Sequence, residues 1–168
     1  MILGAVFLLV ITWSYFWGKK YVHTTPLLPT ANAEITLSTP STTVAVNEPF
    51  EITLGLDSSE FAVDAADFIV SYNEEYLRLA DLREGDFFKT YPSKTASRGL
   101  IKLSGVAFFE NNNLVIPKGK GTVALFRFTP VKTGNTTIRI DPQKTIIASG
   151  GKNILDTSKI TDLEITVQ

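Results

Sequence analysis

The chain has 168 residues, enough for one domain of ordinary size and an extension, but too few for two well-filled cores. Its 16 basic and 17 acidic residues nearly balance, which argues against a nucleic-acid partner because phosphate binding needs a clustered basic excess. The chain has no cysteine, which excludes disulfides, thiolate metal sites and cysteine nucleophiles. Its single histidine, His23, lies outside the predicted folded domain, so histidine-dependent catalysis is not expected there.

The first predicted element is an apolar helix over residues 1–18. Residues 2–17 carry no charge and would span about 24 Å as a helix, just short of the roughly 30 Å apolar core of a bilayer. Aromatic residues crowd the end of this segment, and Lys19 and Lys20 follow it. Two interpretations remain open: a retained single-pass membrane anchor, or a signal peptide cleaved after Ala33, where ANA has the small residues of a cleavage site.

Residues 19–33 form a predicted spacer, because Pro26 and Pro29 lie there among small polar residues. Lys19 and Lys20 favour a cytoplasmic domain if the positive residues that flank the apolar segment are simply counted. Because these charges are few, the identity of the domain is the better guide to its side of the membrane.

From residue 34 to residue 168 the pattern has a period of two, which is typical of half-buried strands. The segments that show it most clearly are FEITLGLD, TVALFRFTP, TTIRID and DLEITVQ. With shorter candidates there are eight or nine strands, separated by turn signals such as VNEP, KTGN and SGGKN. Asn73 is expected to cap only a brief helical turn. Short strands without helices between them predict an all-β antiparallel sandwich or barrel.

One strand, within VDAADFIVSYNEEYL at residues 63–77, has a face of unusual composition. Every second residue from Ala66 is predicted to face the core. The opposite face carries Ala65, Asp67 and Ile69. The carboxylate of Asp67 can accept hydrogen bonds from a hydroxyl or a backbone amide at the end of a partner helix, while Ile69 supplies apolar surface. The alternative is that Asp67 is an ordinary solvated strand residue.

Five segments follow one another along the chain: VNEPFEITLGLD, VDAADFIVSYNEEYLRLADLREGDFF, GLIKLSGVAFF, GKGTVALFRFTPVKTGNTTIRID and NILD. In this order and spacing they resemble a cohesin domain over nearly all of residues 34–168. The resemblance implies a nine-stranded β-sandwich of jelly-roll topology without catalytic residues. It also implies a dockerin-bearing partner, a small helical module folded around calcium and usually attached to a glycoside hydrolase. Calcium is therefore expected on the partner, and no cofactor is expected on this chain.

The resemblance also implies a set of site residues. Asp67 falls on an aspartate of the family's dockerin-binding face, and Ala65 falls where the better-known members have asparagine. In SGVAFFENNN this chain has two phenylalanines before Glu110 where those members place polar and acidic residues, and Asn112 lies in the adjoining loop. The predicted partner-binding residues are therefore Asp67, Ala65, Ile69, Glu110 and Asn112.

Two other groups of residues are weaker candidates. Asp64, Asp81, Glu84 and Asp86 do not have the spacing of a calcium loop, so neither a metal site nor a catalytic residue is predicted. Tyr91 is expected either to stack on a sugar or to plug one end of the sandwich.

Taken together, these features predict a non-catalytic module that binds a dockerin-type partner in the context of cellulosome-like polysaccharide breakdown. Residues 1–18 would hold it in the cell membrane as a single-pass protein with its domain on the extracytoplasmic side, or it is secreted if cleavage follows Ala33. The alternatives are a carbohydrate-binding surface module and a structural envelope protein.

Overall fold

The computed structural model describes residues 32–168, so the predicted helix over residues 1–18 and the spacer up to residue 31 lie outside it. Among the described residues, no helix is long and apolar enough to cross a membrane. This part of the chain contains the strands β1 (Glu34–Ser38), β2 (Thr43–Val44), β3 (Phe50–Ala62), β4 (Ala65–Ser71), β5 (Leu77–Glu84), β6 (Thr90–Ser97), β7 (Leu100–Val106), β8 (Phe108–Glu110), β9 (Asn113–Val115), β10 (Lys118–Pro130), β11 (Gly134–Ile140), β12 (Ile146–Ser149), β13 (Lys152–Asn153) and β14 (Leu163–Val167).

The first sheet contains four antiparallel strands in the order β1, β3, β10 and β5. Alternation along β3 turns Ile52 and Leu54 to the interior, where both are fully buried. The register of β10 against β3 shifts between Thr122 and Ala124, as in a β-bulge. This irregularity lets two consecutive residues, Val123 and Ala124, both face the core.

The second sheet has eight strands: β6, β7, β4, β11, β14 and β2 lie in this order, and β12, followed by β13, pairs with β4 on the same edge as β11. One edge of β4 pairs along its whole length with β7, while the other edge is shared between β12 and β11. Between the parts of β4 that pair with β12 and with β11, the turn between those two strands supplies the hydrogen bonds. Asp141 N donates to Ile69 O at 2.9 Å, and Ile69 N donates to the hydroxyl of Thr145 at 3.2 Å. Thr145 is fully buried, so the hydrogen bond satisfies its hydroxyl.

The core lies between the two sheets and is rich in aromatic side chains. Tyr72, just after β4, meets Phe128 of β10 edge to face with ring centroids 4.9 Å apart. Phe68 of β4 contacts Phe88 with centroids 6.5 Å apart. The contact of Tyr72 with Phe128 joins the two sheets across the interior. Ala66, Phe68 and Val70 are buried, which confirms that the inward positions predicted from the alternation form the core.

The predicted all-β sandwich is confirmed. Within residues 32–168, nine strands have five or more residues, and the other five (β2, β8, β9, β12 and β13) have two to four. Pairing is antiparallel except between β2 and β14, which are parallel. The brief turn predicted at Asn73 is a single turn, in which Asn73 Oδ1 accepts the N–H of Glu75 at 2.9 Å.

The folded unit includes Ala33, one residue before the predicted domain start. Ala33 is fully buried and forms a parallel β-bridge with Leu155. Its N–H donates to Ile154 O at 2.9 Å. Cleavage directly after Ala33 would therefore remove a residue that packs in the core.

Tyr91, on β6, plugs one end of the sandwich. Its hydroxyl donates to the carbonyl oxygen of Val123 at 2.7 Å, and its ring meets Phe88 edge to face at 5.9 Å. Burial raises the pKa of Tyr91 to about 12. These contacts match the second of the two roles expected for Tyr91, the plug at the end of the sandwich.

Alkaline pH is expected to destabilise the domain partly through Tyr91. The unfolded chain loses the Tyr91 proton near pH 10, whereas the folded protein keeps it until about pH 12. The contribution of Tyr91 to the free energy of unfolding is therefore fully present below pH 10 and is lost as the pH rises from 10 to 12. The Tyr91→Phe variant has no proton to lose, and its free energy of unfolding in urea should decrease less over the same interval. An identical pH dependence in the two proteins would contradict the assignment.

Candidate functional site

The outward side of the second sheet brings three of the five predicted residues together. Ala65, Asp67 and Ile69 of β4 point away from the core, and Asp67 is the exposed one of the three. Because β4 lies inside the sheet, they occupy the centre of this surface and not its edge. We call the surface the Asp67 face and define it by the outward side chains of Ala65, Asp67, Ile69, Ser104, Val106 and Ile146.

The carboxylate of Asp67 is held in place by a neighbouring strand. Asp67 stands opposite Ser104 of β7, and the Ser104 hydroxyl donates to Asp67 Oδ1 at 2.6 Å. No hydrogen-bond donor among residues 32–168 contacts Asp67 Oδ2. Asp67 therefore presents an oriented acceptor to solvent, ready for a hydroxyl or backbone N–H of a partner.

Apolar side chains flank this acceptor. Ile146 of β12 stands opposite Asp67 on the side away from Ser104, and 42% of its surface is exposed. Ala65 pairs with Val106 of β7, and both are half-buried. A charged acceptor flanked by aliphatic side chains on β4, β7 and β12 has the composition of an interface centre, although exposed Lys102 of β7 lies on the same face opposite Ile69.

Ile146 and Ser104 were not among the predicted site residues. The segment KTIIAS was identified as a strand, but nothing local in it shows that Ile146 would pair beside Asp67, about eighty residues away. The alternation within β12 is the available signal, because Ile147 is buried and Ile146 must then face outward.

Glu110 and Asn112 lie on the hairpin formed by β8 and β9, beyond the end of β7, and not on the Asp67 face itself. Glu110 Oε1 lies 3.3 Å from Lys89 Nζ. Asn111 and Asn112 have φ values of +50° and +64°, and positive φ at both central residues defines a type I′ turn, which asparagine tolerates well. Asn112 thus has a structural role in the turn of the hairpin, and its contact with a partner stays a prediction.

A charged cleft lies at the opposite end of the second sheet. It has a volume of about 690 Å³ and is lined in part by Glu74, Glu75, Arg98 and Arg139. Arg139 Nε lies 3.0 Å from a carboxylate oxygen of Asp162. The outward side of this sheet therefore passes from a charged cleft to the Asp67 face and then to the hairpin.

The acidic residues noted in the sequence have structural partners. Asp64 Oδ2 accepts the N–H of Gly150 at 2.6 Å, and Asp86 Oδ1 accepts the N–H of Thr122 at 2.8 Å. Glu84 pairs with Lys94 across the open edge between the sheets at 2.8 Å. Within residues 32–168, no group of three or more acidic or histidine side chains is placed to hold a metal ion.

The family profile of the Cohesin domain matches residues 35–167. The chain belongs to the cohesin domain family. The match runs from β1 to β14 and so includes both sheets. Cohesin domains are non-catalytic interaction domains, which agrees with the prediction that this chain is not an enzyme.

Three solved cohesins share the fold. The cohesin of a type I cohesin–dockerin complex from Clostridium thermocellum is 12% identical, with a TM-score of 0.63 over 82% of this chain and 99% of that one. The cohesin module of a family 33 glycoside hydrolase from Clostridium perfringens is 16% identical, with a TM-score of 0.62 over 84% and 98%. A non-cellulosomal cohesin from the archaeon Archaeoglobus fulgidus is 12% identical, with a TM-score of 0.60 over 82% and 92%. No curated protein matches the chain.

Proposed function

We propose that this cohesin domain binds a dockerin-type module through the Asp67 face. The observation that carries the proposal is the orientation of Asp67 by Ser104, with the aliphatic side chains of Ile69 and Ile146 beside it. Membership of the cohesin family supports it, and a related cohesin is solved in complex with a dockerin. The calcium of such a pair belongs to the dockerin.

The chemistry of the face suits the end of a helix. The free N–H groups and hydroxyls of a helix N-terminus can donate to Asp67 Oδ2, and the positive end of the helix dipole favours a carboxylate. Ile69 and Ile146 would cover the helix side chains next to this contact and remove them from water. Because Ser104 already orients Asp67, little side-chain entropy is lost on binding.

The Asp67→Ala variant is expected to weaken dockerin binding by about 1–3 kcal/mol, roughly 5- to 150-fold, because the partner's donors lose their acceptor. The measurement is calorimetric titration of the domain with each dockerin module encoded in the same genome. Asp67→Asn, which keeps an acceptor oxygen, should lose less affinity than Asp67→Ala.

Glu164→Ala is the matched control for this experiment. Glu164 is an exposed carboxylate on β14 of the same sheet, two strands away from β4, so its removal should leave the affinity unchanged. If no dockerin binds the wild-type domain, the proposed function is wrong. If a dockerin binds and Asp67→Ala has no effect, the binding site lies elsewhere on the domain.

We further propose that residues 1–18 anchor the domain at the cell surface, where its partner is an enzyme of polysaccharide breakdown such as a glycoside hydrolase. The uncharged apolar run and the proline-containing spacer support an anchored domain, and membership of the cohesin family supports its extracytoplasmic side. The mass of the protein extracted from host membranes tests this. A protein that begins after the spacer and is found in the medium would show that the segment is a cleaved signal.

No observation favours the carbohydrate-binding alternative. Such a module needs a line of exposed aromatic rings, whereas Phe68, Phe126 and Phe128 are buried. Within residues 32–168 the one exposed aromatic side chain is Phe109, and it lies on the hairpin.

A further inference from the structure

The charged cleft at the end of the second sheet lies where β4 ends before its neighbour does. β11 has seven residues, and only Arg139 and Ile140 pair with β4, opposite Ser71 and Val70. The first part of β11 therefore continues past the end of β4 with no strand on that side. The cleft, about 690 Å³ in volume, takes the place in the sheet that a longer β4 would fill.

The backbone of β11 turns free hydrogen-bonding groups toward this cleft. Asp141 N donates to Ile69 O, so the odd-numbered residues of this segment point their N–H and C=O groups to the β4 side. The cleft-lining residues Asn135 and Thr137 follow the same alternation. Within residues 32–168, their N–H and C=O groups have no backbone partner on that side. We call the backbone of Asn135 and Thr137 the open edge, since one more strand can pair with it.

Arg98 flanks the cleft on the side opposite the open edge. It lies in the turn between β6 and β7, and Tyr72 N donates to Gly99 O of this turn at 2.8 Å. The hydrogen bond holds the turn beside the end of β4. A segment that entered the cleft would therefore lie between the open edge and Arg98.

The backbone at Arg98 is strained. Arg98 and Gly99 have φ values of +52° and +70°, as in a type I′ turn, whose first position favours asparagine. Asparagine occupies three of the other four positions with positive φ that are not glycine in the described part of the chain, and Ser59 occupies the fourth. An arginine at such a position costs stability, and strain of this kind is concentrated at binding and catalytic sites.

The charge of Arg98 is available to a ligand. Arg139, the other arginine of the cleft, lies 3.0 Å from a carboxylate oxygen of Asp162, whereas Arg98 forms no ion pair within residues 32–168. A free guanidinium can donate two parallel hydrogen bonds to one carboxylate. Glu74 also lines the cleft and would attract an amine, but its backbone is not strained as that of Arg98 is.

The cleft is closed where β4 stops, because the chain turns away there through Tyr72 and Asn73. A segment that pairs with the open edge cannot continue in a straight line past this point. The shape therefore suits the terminus of a chain better than an internal segment. Of the two kinds of terminus, a carboxylate complements Arg98.

We propose that the cleft binds the C-terminal segment of an extended peptide, which adds to the sheet beside β11 and places its terminal carboxylate against Arg98. The open edge would recognise the peptide backbone whatever its sequence, and Arg98 would recognise the free carboxylate. This site is separate from the Asp67 face, because Ser71 at its border lies about 13 Å along β4 from Asp67. The inference thus goes beyond the proposed function and does not depend on it.

The test uses a library of N-acetylated hexapeptides with free C-terminal carboxylates. We expect the domain to select peptides from it, and the amidated form of the best peptide should bind at least about 10-fold more weakly, because it cannot accept the charge-assisted hydrogen bonds of Arg98. Nuclear magnetic resonance of the labelled domain should show the peptide shifting the backbone amide signals of Asn135 and Thr137.

Arg98→Asn is the decisive variant, because asparagine suits the turn while the charge is removed. It should bind the free peptide at least about 10-fold more weakly and should unfold at the same temperature as the wild type or a higher one. Arg127→Asn is the matched control, since Arg127 is an exposed arginine on the outward side of the first sheet, and the peptide affinity should not change.

Three results would overturn the inference: no peptide of the library binds, the amidated form binds equally well, or Arg98→Asn keeps the wild-type peptide affinity. The dockerin titrations separate this site from the proposed function. Arg98→Asn should bind dockerin as the wild type does, and a loss of dockerin affinity would show that the cleft belongs to the dockerin surface, which would also overturn the inference. If no dockerin binds but the peptide does, the proposed function fails and this inference stands.

Discussion

Replacing Phe88 with alanine is expected to lower the free energy of unfolding by about 3–5 kcal/mol, the usual cost of removing a buried phenylalanine. Phe88 is 1% exposed and lies in the connection between β5 and β6, where it closes the end of the sandwich. Its ring contacts Phe87 and Tyr91 with centroids 4.8 and 5.9 Å away and covers Gly105 of β7. The cavity would open between both sheets, so few neighbours could move in to fill it.

Phe109→Ala is the matched control, because the same side chain is removed from a position where 76% of it is exposed. Its effect on urea-induced unfolding should stay within about 0.5 kcal/mol. Similar losses of stability in the two variants would contradict the burial of Phe88 in the core and the exposure of Phe109.

Gly85→Ala is expected to destabilise the domain by about 3 kcal/mol, at the upper end of the cost of overpacking. A Cβ atom at Gly85 would lie 2.1 Å from the carbonyl oxygen of Thr122 and 2.5 Å from its carbonyl carbon. This carbonyl accepts the N–H of Phe87 at 2.8 Å, so it cannot move without breaking a buried contact. The variant must therefore displace the connection between the sheets, and thermal unfolding will measure the loss.

Gly55→Ala tests whether this cost comes from the backbone contact. A Cβ atom at Gly55 would clash only with the rotatable hydroxyl of Thr36 at 2.8 Å, because the nearest backbone atom, Gly121 O, is 3.9 Å away. A shift of the Thr36 rotamer relieves this contact, so the variant should lose less than about 1 kcal/mol. Equal destabilisation of both variants would contradict the explanation given for Gly85.

The features that could be predicted from the sequence depend on local periodicity. Alternation within one strand was sufficient to place Ala65, Asp67 and Ile69 on the outward side of β4, because side chains of a strand alternate whatever its neighbours are. The turn at Asn73 was likewise a local capping signal. The succession of short strands predicted a sandwich or a barrel, and the resemblance of the ordered segments to a cohesin domain selected the sandwich.

The remaining features depend on pairing between distant strands. The hydrogen bond from Ser104 to Asp67 requires the register of β7 against β4, and the position of Ile146 requires the pairing of β12 with the same strand. In the sequence Phe108 and Phe109 are adjacent and identical, yet one contacts Lys89 and the other faces solvent. Their difference arises from the hairpin, whose pleat turns neighbouring side chains to opposite sides.

The parallel pairing of β2 with β14 has a consequence for the order in which the domain folds. β14 lies between β11 and β2, and its partner Thr43 precedes Thr166 by more than one hundred residues in the chain. Closing so long a loop is slow, and it cannot occur until residues 163–167 have left the ribosome. Until β14 emerges, β11 also has one unpaired edge, and such an edge can pair with another chain during synthesis.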